Sequence, residues 1–123
     1  MSEDGPGNLL PLSQSVFHIL LALADGEKHG YGIMLEIEQR TEGQVKLGPG
    51  TLYGAIKRLL AQGLIEEAGD FADADRDDER RRYYRITDFG MRITHAEAQR
   101  LENLVRQAQL KRMLPQQYAG GKP

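Results

Sequence analysis

The chain has 123 residues, of which 40% are hydrophobic and 28% charged, a size and composition typical of one soluble globular domain. It contains no Cys, which excludes a disulfide scaffold, thiolate metal sites and thiol catalysis. The formal net charge of -2 argues against a general nucleic-acid coat protein, which is usually basic throughout, although a local basic patch still permits sequence-specific binding.

The beginning of the chain and its apolar runs both bear on location. Residues 1–7 are acidic and polar, unlike a signal peptide. No apolar run approaches the ~18 residues of a membrane span. The sequence therefore predicts a cytoplasmic protein.

The first predicted element is a helix that follows an arm rich in Gly and Pro. Residues 1–11 are predicted to be that flexible arm. Ser13 or Ser15 is placed to cap a helix that runs to about Ala24. Because residues 16–23 are apolar nearly all round, this helix is expected to be the central, buried one. Residues 25–28 read as a turn.

A second predicted helix, 29–40, turns Ile33, Met34 and Ile37 inward, and Gly43 closes it. Residues 44–48 link it to a third helix, 49–62, with Pro49 suited to its start and Gly63 to its end. Two short helices joined by a short linker describe a helix-turn-helix.

The third helix has two chemically different sides. An apolar stripe at helical spacing, which anchors it in a core, consists of Leu52, Ile56, Leu59 and Leu60. The residues off that stripe are Thr51, Gly54, Ala55 and Arg58, with Tyr53 and Lys57 on its edge. A hydroxyl, small residues that permit close approach and two cations suit a helix that lies in a DNA major groove.

Two predicted strands follow, 64–67 and 83–87, joined by a long charged loop from 68 to 82. Acidic residues crowd 70–79, and Arg80, Arg81 and Arg82 come directly after them. We interpret the pair of strands and their loop as a wing whose arginines contact phosphate or the minor groove. The alternative is that these arginines only neutralise the acidic run.

The last predicted helix is capped by Thr87, runs to about Met113 and is ended by Pro115. About 26 residues at 1.5 Å each make roughly 39 Å, more than the width of so small a domain. Part of the helix is therefore expected to project. Its apolar stripe, which needs a partner such as the same helix of a second copy, consists of Leu101, Leu104, Val105 and Ala108. The tail, 116–123, is expected to be disordered.

In order and spacing, the chain resembles the PadR family of bacterial transcriptional regulators, and specifically its short branch. The matching pieces cover roughly residues 12–110 and are Leu20-Leu21-Ala22-Leu23, His29-Gly30-Tyr31-Gly32-Ile33, Pro49-Gly50-Thr51-Leu52-Tyr53, Lys57-Arg58-Leu59, Gly63-Leu64-Ile65 and Arg82-Tyr83-Tyr84-Arg85-Ile86-Thr87-Asp88-Phe89-Gly90.

The resemblance implies a mostly α fold with a small β-hairpin, namely a winged helix-turn-helix with a C-terminal dimerisation helix and no enzymatic activity. It divides the chain into an arm (1–11), a DNA-binding domain (12–87), a dimerisation helix (88–114) and a tail (115–123). Family members usually repress transcription from a palindromic operator, and many are released by a small aromatic or drug-like ligand. Two departures are Gly54, where the family often has Pro, and the acidic wing. Because the chain has no Trp, the flat aromatic drug platform of some relatives does not carry over.

The expected partners are operator DNA, a second copy and a small effector, with no cofactor. The residues expected to contact DNA are Tyr31, Lys46, Thr51, Tyr53, Gly54, Lys57, Arg58, Arg80, Arg81 and Arg82. Ligand candidates in a cleft between the first helix and the partner's last helix are Phe17, Met91 and Leu101.

Competing readings of the sequence are a metal site, an enzyme and a protein-interaction module. Asp73, Asp75 and Asp77 alternate as at the start of a calcium loop. That loop needs Gly at position 78 and Glu at position 84, where this chain has Asp78 and Tyr84. The three histidines show no metal-ligand spacing, and no nucleophile, base and oxyanion donors cluster as in an enzyme. The acidic balance motivates the remaining alternative, a helical module that binds protein and not DNA.

Overall fold

A computed structural model describes residues 9–68 and 82–115. Residues 1–8 of the arm predicted from the sequence, the acidic loop with Arg80 and Arg81, and the tail from 116 lie outside these described residues. The elements, in chain order, are α1 (Gln14–Leu23), β1 (Lys28–His29), α2 (Gly30–Arg40), α3 (Pro49–Gln62), β2 (Ile65–Glu67), β3 (Tyr83–Ile86) and α4 (Asp88–Leu110). The predicted fold class, mostly helical with a small sheet and a long last helix, is confirmed.

Side-chain caps set the beginnings of two helices. The Ser13 Oγ accepts a hydrogen bond of 3.1 Å from the Val16 N–H at the start of α1. The Thr87 Oγ1 accepts one of 2.9 Å from the Gly90 N–H at the start of α4. Each bond satisfies a donor that has no partner within the helix. The sequence predicted the Thr87 cap and offered Ser13 or Ser15 for α1, of which Ser13 is the cap.

Left-handed residues end α3 and α4. Gly63 has φ +77, and the N–H of Leu64 reaches back to the Leu59 carbonyl at 3.0 Å. The prediction that the last helix extends to Met113 is wrong, since α4 ends at Leu110. Arg112 adopts φ +67, and the Met113 N–H bonds to the Ala108 carbonyl at 2.8 Å, which closes the helix three residues earlier.

The core is built around α1, which packs on α2, α4 and β3. Its buried side chains come from every helix and from the sheet, and they include Ile19, Leu20, Leu23, Ile33, Ile37, Leu52, Ile56, Leu59, Tyr84 and Ile93. Ala55 also lies in this core, so its assignment to the outward side of α3 is wrong. Leu60, expected in the buried stripe, is only half-buried, so the buried face of α3 is centred on Leu52, Ala55 and Leu59.

The sheet has three antiparallel strands in the order β1-β3-β2, where the sequence predicted two. The predicted wing pair is present, with Ile65 opposite Ile86. The additional strand, β1, pairs Lys28 with Tyr84. Lys28 was predicted to end a turn and His29 to begin the second helix, which instead starts at Gly30. The sheet therefore ties the beginning of α2 to the base of the wing.

The N-terminal part of α4 is locked against the end of α3. The Thr87 Oγ1 donates to the Gly63 carbonyl at 2.7 Å and also lies 3.1 Å from the Leu64 carbonyl. A Cβ added at Gly90 would collide with the Leu64 carbonyl oxygen and lie 2.8 Å from the Ile86 Cγ1. Only glycine allows α4 to approach this closely.

The C-terminal part of α4 leaves the core. Its buried residues end at Glu97, and no later residue up to 115 is buried. Residues 98–110 would extend about 20 Å at 1.5 Å per residue. In the two described ranges, no helix is long and apolar enough to cross a membrane.

Candidate nucleic-acid interface

The outward face of α3 presents the polar residues that the sequence predicted. Thr51, Lys57 and Arg58 are exposed, while Leu52 and Leu59 on the opposite side are buried. Gly54 lies half-buried between the exposed residues, and a Cβ built there meets nothing within 4 Å. The face is thus open enough for the helix backbone to come close to another molecule.

Lys57 and Arg58 keep their charge available for a ligand. No carboxylate in residues 9–68 or 82–115 lies within 4.0 Å of either cation, and α3 itself contains no Asp or Glu. By contrast, Arg100 lies 2.7 Å from the Glu97 Oε2, and Arg40 lies 3.2 Å from the Glu36 Oε2. The outward face of α3 therefore carries two positive charges that described carboxylates do not neutralise.

Lys46 lies just before α3 and forms a loose ion pair. Its Nζ is 3.7 Å from the Glu38 Oε2, and both side chains are well exposed. An exposed pair of this kind contributes roughly 0–1 kcal/mol, so a phosphate can displace the carboxylate at little cost.

The beginning of α2 lies at a corner formed by His29 and Gly30. The His29 Nδ1 accepts a hydrogen bond of 2.9 Å from the Gly32 N–H and so caps the helix. Its ring stacks on Tyr31 at 6.4 Å and meets Tyr83 edge-on at 5.2 Å. Sequence reasoning missed this cap, although the three-residue spacing of His29 and Gly32 is the usual spacing for a side-chain cap.

Tyr31 and Tyr53, two tyrosines expected at the interface, have different surroundings. Tyr31 is 54% exposed at the start of α2. Tyr53 is half-buried. A Cβ added at Gly30 would lie 2.7 Å from the Tyr53 Cζ and 2.8 Å from its Cε1, so this ring packs directly on the Gly30 backbone.

At the base of the wing, the described arginines are paired with carboxylates. Arg82 lies 3.5 Å from the Glu67 Oε2 across the two wing strands. Arg85 lies 2.8 Å from the Glu66 Oε2 and 3.9 Å from the Glu27 Oε2. All five side chains are at least about a third exposed, so these pairs are weak and exchangeable.

Arg40, at the end of α2, contacts His18 in the middle of α1. Its guanidinium lies 3.0 Å from the His18 Nδ1 and donates to the His18 carbonyl at 3.1 Å. Burial, and then the charge of Arg40, lower the pKa of His18 below its usual 6.5. At the end of α1, Lys28 lowers the pKa of Asp25 by a hydrogen bond of 3.0 Å and by its charge.

Glu97 is a buried carboxylate where α4 meets the segment that precedes α1. Arg100 holds it with bonds of 2.9 and 2.7 Å, and the Leu12 N–H approaches it at 3.4 Å. The hydrogen bond from Arg100 lowers the pKa of Glu97 against the opposing effect of burial, and the same bond raises the pKa of Arg100. This pair anchors the N-terminal segment on α4 and lies outside the α3 face.

The projecting part of α4 exposes much of its predicted apolar stripe. Leu104 is 48% exposed and Val105 is 46% exposed, while Leu101 and Ala108 are half-buried. Beyond the helix, an open groove of about 610 Å³ is lined by Gln109, Leu110, Arg112, Met113, Leu114 and Pro115. The ligand candidates Phe17, Met91 and Leu101 are all half-buried and do not line that groove.

No group of three or more His, Asp or Glu residues within the described part of the chain is arranged to hold a metal ion. The two surfaces that the sequence predicted as binding surfaces are the cationic face of α3 and the apolar stripe of α4.

Comparison with known proteins connects this arrangement to a family. A model of the transcriptional regulator PadR-like family matches residues 19–96. A transcriptional regulator of Mycobacterium tuberculosis is 33% identical over 90 residues, which are 73% of this chain and 78% of that protein. A 37.1 kDa protein in a transposon of Streptomyces fradiae is 40% identical over 89 residues, 70% of this chain, but the match spans only 22% of that protein. A Lysinibacillus sphaericus protein is 36% identical over 73 residues, which are 58% of this chain and 63% of that protein.

Solved structures agree with the family match. A transcriptional regulator from Clostridium thermocellum superposes with a TM-score of 0.63 at 30% identity, covering 78% of this chain and 89% of that one. The Bacillus subtilis PadR, solved in complex with operator DNA, has a TM-score of 0.57 at 17% identity, covering 90% of this chain and 53% of that one. At that identity, the likeness to the Bacillus subtilis protein concerns the fold.

Proposed function

This chain belongs to the PadR-like family of transcriptional regulators, and from that premise we propose that it is a homodimeric repressor that binds a palindromic DNA operator. The observation that carries the proposal is the face of α3, where exposed Lys57 and Arg58 have no carboxylate partner in the described chain. The fold likeness to a regulator solved on its operator supports the same reading.

In the proposed complex, α3 enters the major groove with Thr51, Gly54 and Arg58 toward the bases. Arg is the side chain that most often reads guanine, and Thr suits either a base edge or a phosphate. Gly54 lets the helix backbone approach the groove closely. Lys57 lies at the edge of this face, where the proposal assigns it to the phosphate backbone.

Flanking residues add contacts that carry no sequence information. Lys46 before α3 and the exposed Tyr31 at the start of α2 are assigned to phosphates. The wing arginines, Arg82 with Arg80 and Arg81, are assigned to the backbone or minor groove beside the operator half-site. Arg82 is paired with Glu67 at 3.5 Å, and this weak exposed pair gives way to phosphate.

The proposed dimer forms through the projecting part of α4. Exposed Leu104 and Val105 follow the half-buried Leu101, and an identical helix from a second copy offers the same stripe in return. Two α3 helices would then enter successive major grooves about 34 Å apart. A palindromic operator matches that two-fold symmetry.

Release by a small ligand is the proposed mode of regulation. The proposed place is the cleft between α1 and the partner's α4, near Phe17, Met91 and Leu101. A ligand there changes the angle between the two DNA-binding heads only if it binds the two arrangements with different affinity.

The experiment is duplex DNA binding at several salt concentrations with wild type and Lys57→Ala/Arg58→Ala. The DNA is a set of fragments from around the protein's own coding region. We expect tight binding to one fragment and its loss in the variant. Because each phosphate contact contributes about 0.9 to the slope of log affinity against log salt, loss of the Lys57 phosphate contact should reduce the slope by about 0.9 per protomer.

A matched control is Lys111→Ala/Arg112→Ala, which removes another adjacent and exposed Lys-Arg pair at the end of α4. The control removes the same amount of charge but leaves the face of α3 intact, so it should retain binding to the preferred fragment. Weak binding of equal strength to every fragment by wild type would refute the proposal. That result would favour the alternative, a helical protein-interaction module.

A further inference from the structure

The contact between Tyr53 and Gly30 joins the two helices of the helix-turn-helix. Gly30 is the first residue of α2 and is buried. A Cβ at this position would lie 2.7 Å from the Tyr53 Cζ and 2.8 Å from its Cε1, and it would collide with the Tyr53 Oη. The outer part of the ring therefore occupies the space that any larger residue at position 30 would need.

Tyr53 is positioned to set the rotation of α3 about its own axis. It lies between buried Leu52 and half-buried Gly54, on the border between the buried and exposed sides of the helix. A helix with its side chains has a radius of about 5–6 Å, so a rotation of roughly 10° moves a side-chain end by about 1 Å. A binding constellation tolerates errors of only about 0.5 Å and 10–20°. A change in the seat of this ring would therefore redirect Thr51 and Arg58.

Gly30 is itself held in place from the side of the sheet. The preceding residue, His29, caps α2 with its Nδ1 and pairs with Tyr83 in the sheet. The His29 ring also meets the Tyr83 ring edge-on at 5.2 Å. The ring of Tyr53 therefore rests on a corner that is fixed to the base of the wing.

We propose that Tyr53 is a positioning residue for sequence reading, whose ring, seated on Gly30, fixes the orientation of α3 relative to α2 and the wing. This inference rests on the proposed function, because it concerns how the DNA-reading face is aimed. It separates the role of the Tyr53 ring from that of its hydroxyl, which a phosphate contact would require.

The test uses full-length variants and two probes. The first probe is the duplex that wild type selects from a randomised-sequence library, and the second is a scrambled duplex of the same composition. The ratio of the two dissociation constants measures discrimination. Gly30→Ala fills the seat, Tyr53→Phe keeps the ring without its hydroxyl, and Tyr53→Leu removes the Oη, Cζ and Cε1 atoms that overlie Gly30.

We expect Gly30→Ala and Tyr53→Leu each to reduce discrimination by about tenfold or more. Tyr53→Phe, which keeps the ring on Gly30, should lose less discrimination than Tyr53→Leu. The double variant Gly30→Ala/Tyr53→Leu should lose no more than Tyr53→Leu alone, because the added methyl group enters the space that the shorter side chain vacates. Such a non-additive result is the signature of residues in contact.

Ile93→Val is the control for stability alone, since Ile93 is a buried residue of α4 and belongs to neither helix of this junction. It should lower the melting temperature and leave discrimination unchanged. Additive losses in the double variant, or a loss in Tyr53→Phe equal to that in Tyr53→Leu, would overturn the positioning role while the proposed function stands. A wild type without discrimination would overturn both.

Discussion

The close approach of α4 to the end of α3 makes Gly90→Ala the most informative stability variant. A Cβ there collides with the Leu64 carbonyl oxygen, which also accepts the Thr87 N–H at 3.1 Å. Overpacking costs about 1–3 kcal/mol, and a disturbed hydrogen bond adds about 1 kcal/mol. Replacing Gly by Ala in a helix otherwise gains about 1 kcal/mol. We therefore expect a net loss of about 2 kcal/mol.

The matched comparison is Gly54→Ala in α3, where a Cβ meets nothing within 4 Å. That variant should gain up to about 1 kcal/mol, because it receives the helix-propensity benefit without a collision. The two alanine variants should then differ by about 3 kcal/mol, which corresponds to a difference of roughly 12 °C or more in melting temperature.

The assay is urea unfolding followed by circular dichroism, with all variants at the same protein concentration because a dimer's stability depends on it. The linear extrapolation yields the free energy of unfolding for each variant. If Gly90→Ala is as stable as wild type, or gains as much as Gly54→Ala, the reasoning about this contact is refuted.

Three further variants test other parts of the structure. In His18→Gln the fall in stability on acidification should be smaller than in wild type. Burial and Arg40 lower the pKa of His18 in the folded chain, so the unfolded chain takes up a proton first as pH falls through about 6.5, and wild type loses stability there. Urea midpoints at about pH 7 and about pH 5 measure this loss. Thr87→Val should cost about 1–2 kcal/mol, because it removes the cap of α4 and the bond to the Gly63 carbonyl; thermal unfolding measures the loss. Leu104→Glu/Val105→Glu should convert the proposed dimer to a monomer in analytical ultracentrifugation, because two exposed apolar residues of the stripe become charged.

Each of these variants has a control on the same chain. His95→Gln, at an exposed position of α4, should keep the pH dependence of wild type. If His95→Gln reduced the loss of stability on acidification as much as His18→Gln does, the role given to His18 would be contradicted. Thr87→Ser keeps the hydroxyl and should lose less than Thr87→Val. Gln107→Glu adds charge beside the stripe at an exposed position, and a monomer formed by that variant would argue against a specific apolar interface.

The helix limits illustrate what the sequence determined by itself. Thr87 was assigned as a cap from its position alone, and the first cap was narrowed to Ser13 or Ser15; Thr87 and Ser13 cap in the structure. Pro49 and Gly63 were assigned to the two ends of α3, and the structure places them there. These signals operate over three or four neighbouring residues, so they can be read without knowledge of the fold.

The candidate interface was also predictable in large part. Helical spacing alone separated the buried Leu52 and Leu59 from the exposed Lys57 and Arg58. It failed for Ala55, because a small apolar side chain has no clear preference and its burial depends on which neighbour packs against it.

Only the tertiary structure decided the features that depend on residues far apart in the chain. Strand β1 has two residues, too few for an alternating pattern, and it exists because Tyr83 and Tyr84 lie beside it. The contact of Tyr53 with Gly30 and that of Gly90 with the Leu64 carbonyl leave no periodic trace either. Such contacts arise when whole elements pack against one another, so their determinants are spread over the chain, whereas caps and helical stripes are encoded within a turn or two.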